Sequence, residues 1–151
     1  MESRTLDDFT RERKLITSTR FWSMHQVAHL DIKPDNLVYH PDTFQLQIIN
    51  FDVAVLLANH DQKISGCRGT EGWMAPEVKS GKPFNPFLAD RYSCGLVIEK
   101  VVLTASNADR VNGRAQIYHA SQLHSFAVRL TAEKPGRRPP LKLARNLGLG
   151  T

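Results

Sequence analysis

The sequence predicts a mostly helical α+β domain that carries one small hairpin of strands. A stretch over about residues 89–104 is apolar on most sides, which is typical of a buried helix. Residues 117–130 place apolar side chains at helical spacing, and two short apolar runs around a turn-forming stretch predict the hairpin. With 151 residues the chain is long enough to bury one core, so we expect a single domain.

The first half of the chain predicts a helix, then a polar loop, then the hairpin. Apolar residues recur at loosely helical spacing over residues 5–27. We therefore interpret residues 1–28 as a shortened helix that leads into the polar loop. Residues 37–39 and 46–49 are predicted to be short strands, because the residues at 40–43 between them favour a turn.

Prolines mark where the helices of the second half begin and end. Pro76 opens a predicted short helix over residues 77–80. Pro83 and Pro86 break the chain before the buried helix. A Pro-Gly pair at residues 135–136 ends the last predicted helix.

Composition and charge exclude several classes of function. No apolar run could span a membrane, and the N-terminus lacks the apolar core of a signal peptide, so we expect an intracellular protein, cytoplasmic or nuclear. Cys67 and Cys94 lack C-x-x-C spacing, which argues against a disulfide framework or a zinc site. Residues 110–151 hold eight Lys or Arg against one Glu, but no interleaved aromatic residues favour nucleic-acid binding. We interpret this basic segment as a solvated surface.

Residues 29–36, with the sequence His-Leu-Asp-Ile-Lys-Pro-Asp-Asn, hold the most informative polar set of the chain. Asp31, Lys33 and Asn36 lie two and three residues apart on one tight loop. Phosphoryl transfer needs an acceptor that orients the attacking hydroxyl, a cation near the moving phosphoryl group and an oxygen ligand for Mg²⁺. The alternative is that Asp31 and Asn36 merely favour a turn.

The octet closely resembles the catalytic loop of eukaryotic Ser/Thr protein kinases. The resemblance implies that Asp31 is the hydroxyl-orienting base, that Lys33 lies over the transferred phosphoryl group, and that Asn36 binds Mg²⁺. Leu30 stands where many kinases carry an arginine that binds a phosphate of the activation segment. We therefore expect Leu30 to pack inward, and we expect no control of activity through such a phosphate.

Residues 49–54 resemble the metal-binding segment of the same family, with one important departure. Asn50 stands where the family carries the aspartate that holds Mg²⁺ against ATP, and Asp52 stands where it carries glycine. With Asn36 and Asn50 as the expected ligands the site has no negative charge, although Mg²⁺ favours anionic oxygen. Losing one charge interaction of roughly 4 kcal/mol predicts catalysis slower by on the order of several hundredfold. In an extended backbone Asp52 could swing toward the metal; the alternative is that it faces solvent.

Residues 69–77 resemble the end of the kinase activation segment, which would span residues 50–77. The resemblance implies that Thr70 hydrogen-bonds toward the catalytic aspartate and lysine. It also implies that this segment forms a shelf for the peptide of a protein substrate or for a protein partner.

Four further residues are expected to support the site rather than to act in it. Glu77 would need a buried cationic partner, because an unpaired buried carboxylate is costly, and Arg138 matches the late arginine of the family. Asp90, in a sequence that resembles the family's D-x-W-S-x-G, would accept hydrogen bonds from backbone amides of the catalytic loop. It would hold that loop together with His29.

These matches imply the C-terminal lobe of a protein kinase over residues 29–151, and they resemble fungal kinase-like domains most. The residues before His29 contain no G-x-G-x-x-G loop and no strand lysine for ATP. We therefore expect a C-lobe that lacks the N-terminal ATP-binding lobe, binds Mg-ATP weakly and is catalytically impaired.

Three interpretations of such a chain stay open. It is a degenerate kinase remnant, a partial gene model of an active Ser/Thr kinase, or a non-catalytic pseudokinase module that binds a protein partner. Apolar surface exposed at the cleft would also favour self-association.

Overall fold

The structure is a computed structural model that describes residue 15 and residues 17–40, 45–102 and 114–141. Its helices and strands alternate with short turns along the chain. In order they are α1 (residues 17–24), β1 (Val27–Ala28), a 3₁₀ turn (Pro34–Asn36), β2 (Leu37–His40), β3 (Gln45–Ile48), β4 (Val55–Leu56), α2 (Pro76–Lys79), α3 (Pro86–Val97), a π-helical turn (Ile98–Val102), α4 (Arg114–Leu130) and a second 3₁₀ turn (Pro135–Arg137).

Strands β2 and β3 form the hairpin that the sequence predicts, in antiparallel register with Leu37 opposite Ile48. Leu37, Leu46 and Ile48 face the core, whereas Val38 on the other face is 46% exposed. The backbone N–H of Ile49 donates to the carbonyl of Asn36 at 3.0 Å and so extends the ladder by one rung. The hairpin therefore returns the chain beside the end of the loop at residues 29–36, which is called the catalytic loop below after the family that it resembles.

Strands β1 and β4 pair Val27 with Leu56 in a second, two-residue ladder that sequence analysis did not predict. Two residues are too few to display the alternation by which strands are recognised. This ladder joins the chain just before the catalytic loop to residues 55–56. These residues lie early in the stretch 50–77, which is called the activation segment below after the family that it resembles.

Among the described residues, two apolar clusters hold the fold together, and the catalytic loop is anchored in both. Ile32 packs with Cys94, Ile98 and Leu130 in the first cluster. Leu30 is buried in the second cluster, whose members are Ala28, Leu30, Leu57, Ala75, Val78, Phe84, Phe87 and Ala89. Neighbouring loop residues thus point into different parts of the core, and Asp31 is fixed between them.

Helix α3 runs through the centre of the described core, and it begins three residues earlier than predicted. Pro86 occupies the first turn rather than breaking the chain, because the Asn85 side chain caps the helix by accepting from the N–H groups of Phe87 and Leu88. A Cβ on Gly95 would lie 2.8 Å from the Cβ of Leu130, so this glycine allows α3 and α4 to pack closely. Beyond Val97 the helix widens into the π-helical turn.

The remaining helices lie close to their predicted positions. Helix α2 spans Pro76–Lys79 and α4 spans Arg114–Leu130, each beginning one to three residues before the predicted start. The predicted turn residues 41–43, the predicted helix end at Thr104 and residues 1–14 lie outside the described residues. Within the described residues, none of the helices is both long and apolar enough to cross a membrane.

Candidate active site

The catalytic loop is held in an unusual backbone conformation by Asp90 of helix α3. Leu30 has φ +63°, a left-handed conformation that is costly for a residue with a branched side chain. The carboxylate of Asp90 accepts the backbone N–H of His29 at 2.7 Å and that of Leu30 at 2.8 Å. These two bonds fix the loop where it turns. Leu30 itself is buried, as the sequence predicts.

Asp31 lies at the centre of a compact polar cluster. Its Oδ1 accepts from the hydroxyl of Thr70 at 2.7 Å, and its Oδ2 lies 3.0 Å from the Lys33 ammonium. Lys33 also donates to the Thr70 hydroxyl, and the Asn36 amide donates to Asp31 Oδ2 at 2.9 Å. Three side chains from two separate segments therefore meet at the Asp31 carboxylate.

These contacts decide the charge of Asp31. Burial alone would raise the pKa of this carboxyl, but hydrogen bonds from Thr70, Lys33 and Asn36 together lower the pKa below its ordinary value. Asp31 is consequently ionised at neutral pH. A carboxylate has about four acceptor positions, and the three bonds leave one on Oδ1 for an additional hydroxyl.

The neutral imidazole of His29 supports the catalytic loop through both of its ring nitrogens. Its Nδ1 accepts the backbone N–H of Asp31 at 3.2 Å, so the proton resides on Nε2, which donates to the carbonyl of Ile49 at 3.0 Å. Burial lowers the pKa of His29 despite the nearby Asp31 carboxylate. The ring also meets Phe51 edge-on, with centroids 4.7 Å apart. His29 thereby connects the catalytic loop to residues 49–51.

Asn36 and Asn50 lie side by side as a pair of amides that contact each other directly. The Asn36 amide nitrogen is committed to the carbonyl and carboxylate of Asp31, and Asn50 Nδ2 lies 3.4 Å from Asn36 Oδ1. Asn50 has φ +63°, and residues 51–54 form a turn, so this stretch is not extended. The prediction that an extended backbone could carry Asp52 toward the metal position is therefore wrong. Asp52 is exposed.

This donor set does not fit a hard divalent cation. Both amides are neutral, and one of the two oxygens already faces an N–H group. In the described part of the chain, no three His, Cys, Asp or Glu side chains converge to hold a metal ion. The Mg²⁺-ligand roles expected for Asn36 and Asn50 thus lack the carboxylate that would make them effective.

The last part of the activation segment, residues 69–77, is attached at both of its ends to the rest of the described chain. A Cβ on Gly69 would lie 2.3 Å from the carbonyl oxygen of Leu30, so the segment touches the catalytic loop where only glycine fits. At the other end Arg138 donates to both carboxylate oxygens of Glu77, at 2.5 and 2.8 Å. The Arg138 side chain is fully buried. The catalytic roles expected for Asp31, Lys33 and Thr70 stay predictions, as do the supporting roles expected for His29, Glu77, Asp90 and Arg138.

Two residues that sequence analysis did not single out also reach the activation segment. The hydroxyl of Ser93 on α3 donates to the carbonyl of Trp73 at 2.8 Å, and the ammonium of Lys100 in the π-helical turn donates to the carbonyl of Gly72 at 3.1 Å. A lysine after an apolar helix is typical of a solvated helix end, so the sequence contains no signal for its contact.

Comparison with protein families explains this arrangement. Residues 12–141 match the protein kinase domain. The chain belongs to the protein kinase family. As a group, protein kinases use ATP and Mg²⁺ and act on protein substrates.

Individual relatives are Ser/Thr kinases and come mostly from fungi, which confirms the resemblance seen in the sequence. The chain is 34% identical to serine/threonine-protein kinase HAL5 of Candida glabrata over 90 residues, which are 56% of this chain and 11% of that protein. It is 30% identical to probable serine/threonine-protein kinase KCC4 of Saccharomyces cerevisiae over 69% of this chain and 10% of that protein.

A plant relative is similar over a longer stretch. CBL-interacting protein kinase 29 of Oryza sativa subsp. japonica is 33% identical over 120 residues, which are 76% of this chain and 26% of that kinase. The chain thus spans only a small part of the relatives that it matches. These similarities support a Ser/Thr protein kinase-like domain.

Proposed function

We propose that this segment is the C-terminal lobe of a Ser/Thr protein kinase domain and that it orients the acceptor hydroxyl of a protein substrate. The observation that carries the proposal is the polar cluster around Asp31. The carboxylate is ionised, it is fixed by Thr70, Lys33 and Asn36, and it keeps one acceptor position unused. Such a preorganised acceptor is what hydroxyl orientation requires.

The chemistry that this cluster would support is a single displacement at phosphorus. The hydroxyl oxygen of a substrate Ser or Thr bonds to the γ-phosphorus of ATP while the bond from that phosphorus to the ADP oxygen breaks. The hydroxyl proton passes to Asp31. Lys33 would place its positive charge near the transferred group. The Thr70 hydroxyl, which contacts both side chains, would hold the Asp31 carboxylate and the Lys33 ammonium at a fixed distance from each other.

The same lobe is, on this proposal, poor at the nucleotide side of the reaction. The residues before His29 contain neither a glycine-rich loop nor a strand lysine, and Asn50 replaces the metal-binding carboxylate. The Asn36–Asn50 amide contact supports this view, because the Asn36 Oδ1 atom, to which a metal would otherwise bind, already faces the Asn50 amide nitrogen. We propose that the segment alone is catalytically impaired for this reason.

The test supplies an N-lobe and a carboxylate at position 50, the two features that the residues of this chain do not provide, and then compares variants. A competent kinase N-lobe is fused upstream, and the unaltered segment is compared with Asn50→Asp and with Asn50→Asp combined with Asp52→Gly. We expect little phosphorylation of Ser or Thr by the first fusion and a gain on the order of several hundredfold or more in the repaired ones, since a restored carboxylate returns roughly 4 kcal/mol.

Two further variants of the repaired fusion make the test specific. Asp31→Asn should abolish the gain, whereas Asp61→Asn, which alters an exposed carboxylate outside the cluster, should leave it unchanged. Equal activity of the unaltered and the Asn50→Asp fusions would contradict the proposed impairment. Full activity of the Asp31→Asn fusion would contradict the proposed role of Asp31.

A second candidate function is a non-catalytic module that binds a protein partner or a second copy of itself. The outer side of the β2–β3 hairpin favours it, because Val38 in β2 is 46% exposed and Ile49, directly after β3, is 41% exposed. Analytical sedimentation of the 151-residue chain at high concentration would decide whether it self-associates. A monomer at all concentrations would count against the self-association form of this candidate.

A further inference from the structure

Lys100 makes two contacts with one short stretch of the activation segment. Its ammonium donates to the carbonyl of Gly72 at 3.1 Å, and the same nitrogen lies 4.9 Å from the centroid of the Trp73 ring. This distance is within the range of a cation–π interaction. Lys100 is itself exposed, so both contacts lie at the surface of the described chain.

Helix α3 and the turn after it hold this stretch at adjacent points. Ser93, seven residues before Lys100, donates its hydroxyl to the carbonyl of Trp73 at 2.8 Å. Seven residues are two helical turns, which brings both side chains to the same side of the helix. The π-helical turn that carries Lys100 is a conformation found frequently at functional sites. The backbone carbonyls of Gly72 and Trp73 thus each have a side-chain donor from this helix.

The stretch held by Lys100 leads directly to the Asp31 cluster. The backbone N–H of Trp73 donates to the carbonyl of Thr70 at 3.1 Å and closes a turn over residues 70–73. The hydroxyl of Thr70 then donates to Asp31 at 2.7 Å. Gly72 has φ +87°, and a Cβ added to it would meet no atom within 4 Å, whereas the Trp73 side chain packs against the first apolar cluster. The contacts from Ser93 and Lys100 act in addition to this packing, on the backbone of the turn itself.

We propose that Lys100 is a positioning residue that fixes the turn over residues 70–73, and through it Thr70, against the catalytic loop. The proposal rests on the proposed function only in assigning a use to that turn, which would support the acceptor peptide. Lys100 acts through Gly72 and Trp73 and touches none of the reacting atoms. Its contribution comes from its charge, since both contacts need a cation or a strong donor.

The test observes the two tryptophans of the chain separately. The 151-residue chain is labelled with 5-fluorotryptophan, and Trp22→Phe assigns the two ¹⁹F resonances. Lys100→Met removes the charge and keeps the length of the side chain, whereas Lys100→Arg keeps the charge. Lys79→Met is the matched control, because Lys79 is exposed and its ammonium has no partner among the described residues.

We expect Lys100→Met to shift the Trp73 resonance and to leave that of Trp22 in place. Hydrogen exchange of the Trp73 amide should rise by about two- to five-fold, the factor that corresponds to an exposed cation–π contact. Lys100→Arg should restore both signals, and Lys79→Met should change neither. These readouts need no phosphoryl transfer, so they stand even if the proposed function fails.

Two results would overturn the proposal. The first is a Trp73 resonance and amide exchange rate in Lys100→Met that equal those in Lys79→Met. The second is an equal disturbance of Trp22 and Trp73, which would indicate general loosening of the fold instead of a local positioning effect.

Discussion

At the scale of single residues, the pKa of Asp90 is subject to two opposing effects, burial and hydrogen bonding. It is fully buried, which raises the pKa of its carboxyl from 3.8 to about 7 in spite of the hydrogen bonds from the His29 and Leu30 amides. The His29 ring next to it has a pKa lowered by burial. Stability should therefore depend on pH in opposite senses through these two neighbours.

The contribution of Asp90 can be isolated with Asp90→Asn. Its folded-state pKa lies above its unfolded value, so between about pH 4 and pH 7 the folded chain holds an extra proton and stability falls as pH rises. Asparagine also fails to accept both amides, which should cost about 1–3 kcal/mol. We expect the difference in unfolding free energy between wild type and variant to be largest at about pH 4 and to narrow steadily toward pH 7. Urea unfolding across this range measures it.

The direction of this trend is the decisive observation. A difference that widens as pH rises would show that the two amide hydrogen bonds outweigh burial and that the pKa of Asp90 is lowered. Glu133→Gln, at an exposed position away from the loop, should show no trend of this kind.

At the scale of elements, the docking of the activation segment on the catalytic loop depends on glycine at one position. Gly69 has φ +105°, and a Cβ there would lie 2.3 Å from the carbonyl oxygen of Leu30. Gly66 has nearly the same φ, +107°, but no atom within 4 Å of its added Cβ. The two positions share the conformational cost of a side chain and differ only in the steric contact.

Gly69→Ala should therefore destabilise the chain by about 1–3 kcal/mol more than Gly66→Ala, the usual cost of overpacking. The Thr70 contact with Asp31 should be disturbed only in the first variant. Unfolding free energies of the two variants, measured under the same conditions, make the comparison. Equal losses would mean that the backbone near Leu30 moves aside easily and that the segment is not tightly docked.

Elements were predictable where local chemistry alone determines them. The hairpin follows from alternating strands around a turn, and α2 follows from Pro76 at its start. The predicted start of α3 was too late, because a proline such as Pro86 can either break the chain or occupy the first turn of a helix. The side chain of Asn85, which caps the helix, decides for the second possibility, and the prediction did not consider it. The β1–β4 ladder depends on a distant partner strand, which no local pattern reveals.

The candidate site shows the same division between motif and geometry. The catalytic-loop residues were found because their spacing resembles a known family, and the structure brings Asp31, Lys33, Asn36 and Thr70 together. The direct Asn36–Asn50 contact was not foreseen, because it follows from how two amides rotate once the hairpin has closed. Lys100 was missed for a related reason, since its partners are backbone carbonyls, which have no residue signature.

At the scale of the whole molecule, the pairing of Glu77 with Arg138 joins the activation segment to the end of the described chain. The guanidinium also donates to the carbonyls of Leu88 and Ala132 and lies 4.9 Å from the Tyr92 ring. It is fully buried, so its removal leaves both a carboxylate and several carbonyls without their partner. One arginine thereby connects α2, α3 and the second 3₁₀ turn.

Arg138→Met should cost about 3–5 kcal/mol of unfolding free energy, as expected when one partner of a buried ion pair is removed. The neighbouring Arg137→Met, at an exposed position, should stay within about 0.5 kcal/mol of wild type. Adding Glu77→Gln to Arg138→Met should recover part of the loss, because the uncompensated charge disappears. Thermal or urea unfolding measures all three, and a small effect of Arg138→Met would show that water replaces the arginine.

Nucleotide binding by the segment alone should be weak. With no glycine-rich loop, no strand lysine and two neutral amides at the metal position, we expect a dissociation constant for Mg-ATP of about 1 mM or more, equivalent to roughly 4 kcal/mol of binding free energy or less. Isothermal titration calorimetry provides the value. A dissociation constant in the low micromolar range would contradict the expectation and would indicate a nucleotide site built from other residues.

The two hydrogen bonds to Asp90 also determine when, during synthesis of the protein, the catalytic loop can reach its final conformation. They join the amides of His29 and Leu30 to a carboxylate that lies 61 and 60 residues later in the chain. Closing a segment of that length costs an entropy worth about 3–4 kcal/mol before any contact repays it. A nascent chain that has emerged from the ribosome only as far as residue 89 cannot make either bond. The strained turn at Leu30 is therefore completed during or after the synthesis of helix α3, well after the catalytic loop itself has been translated.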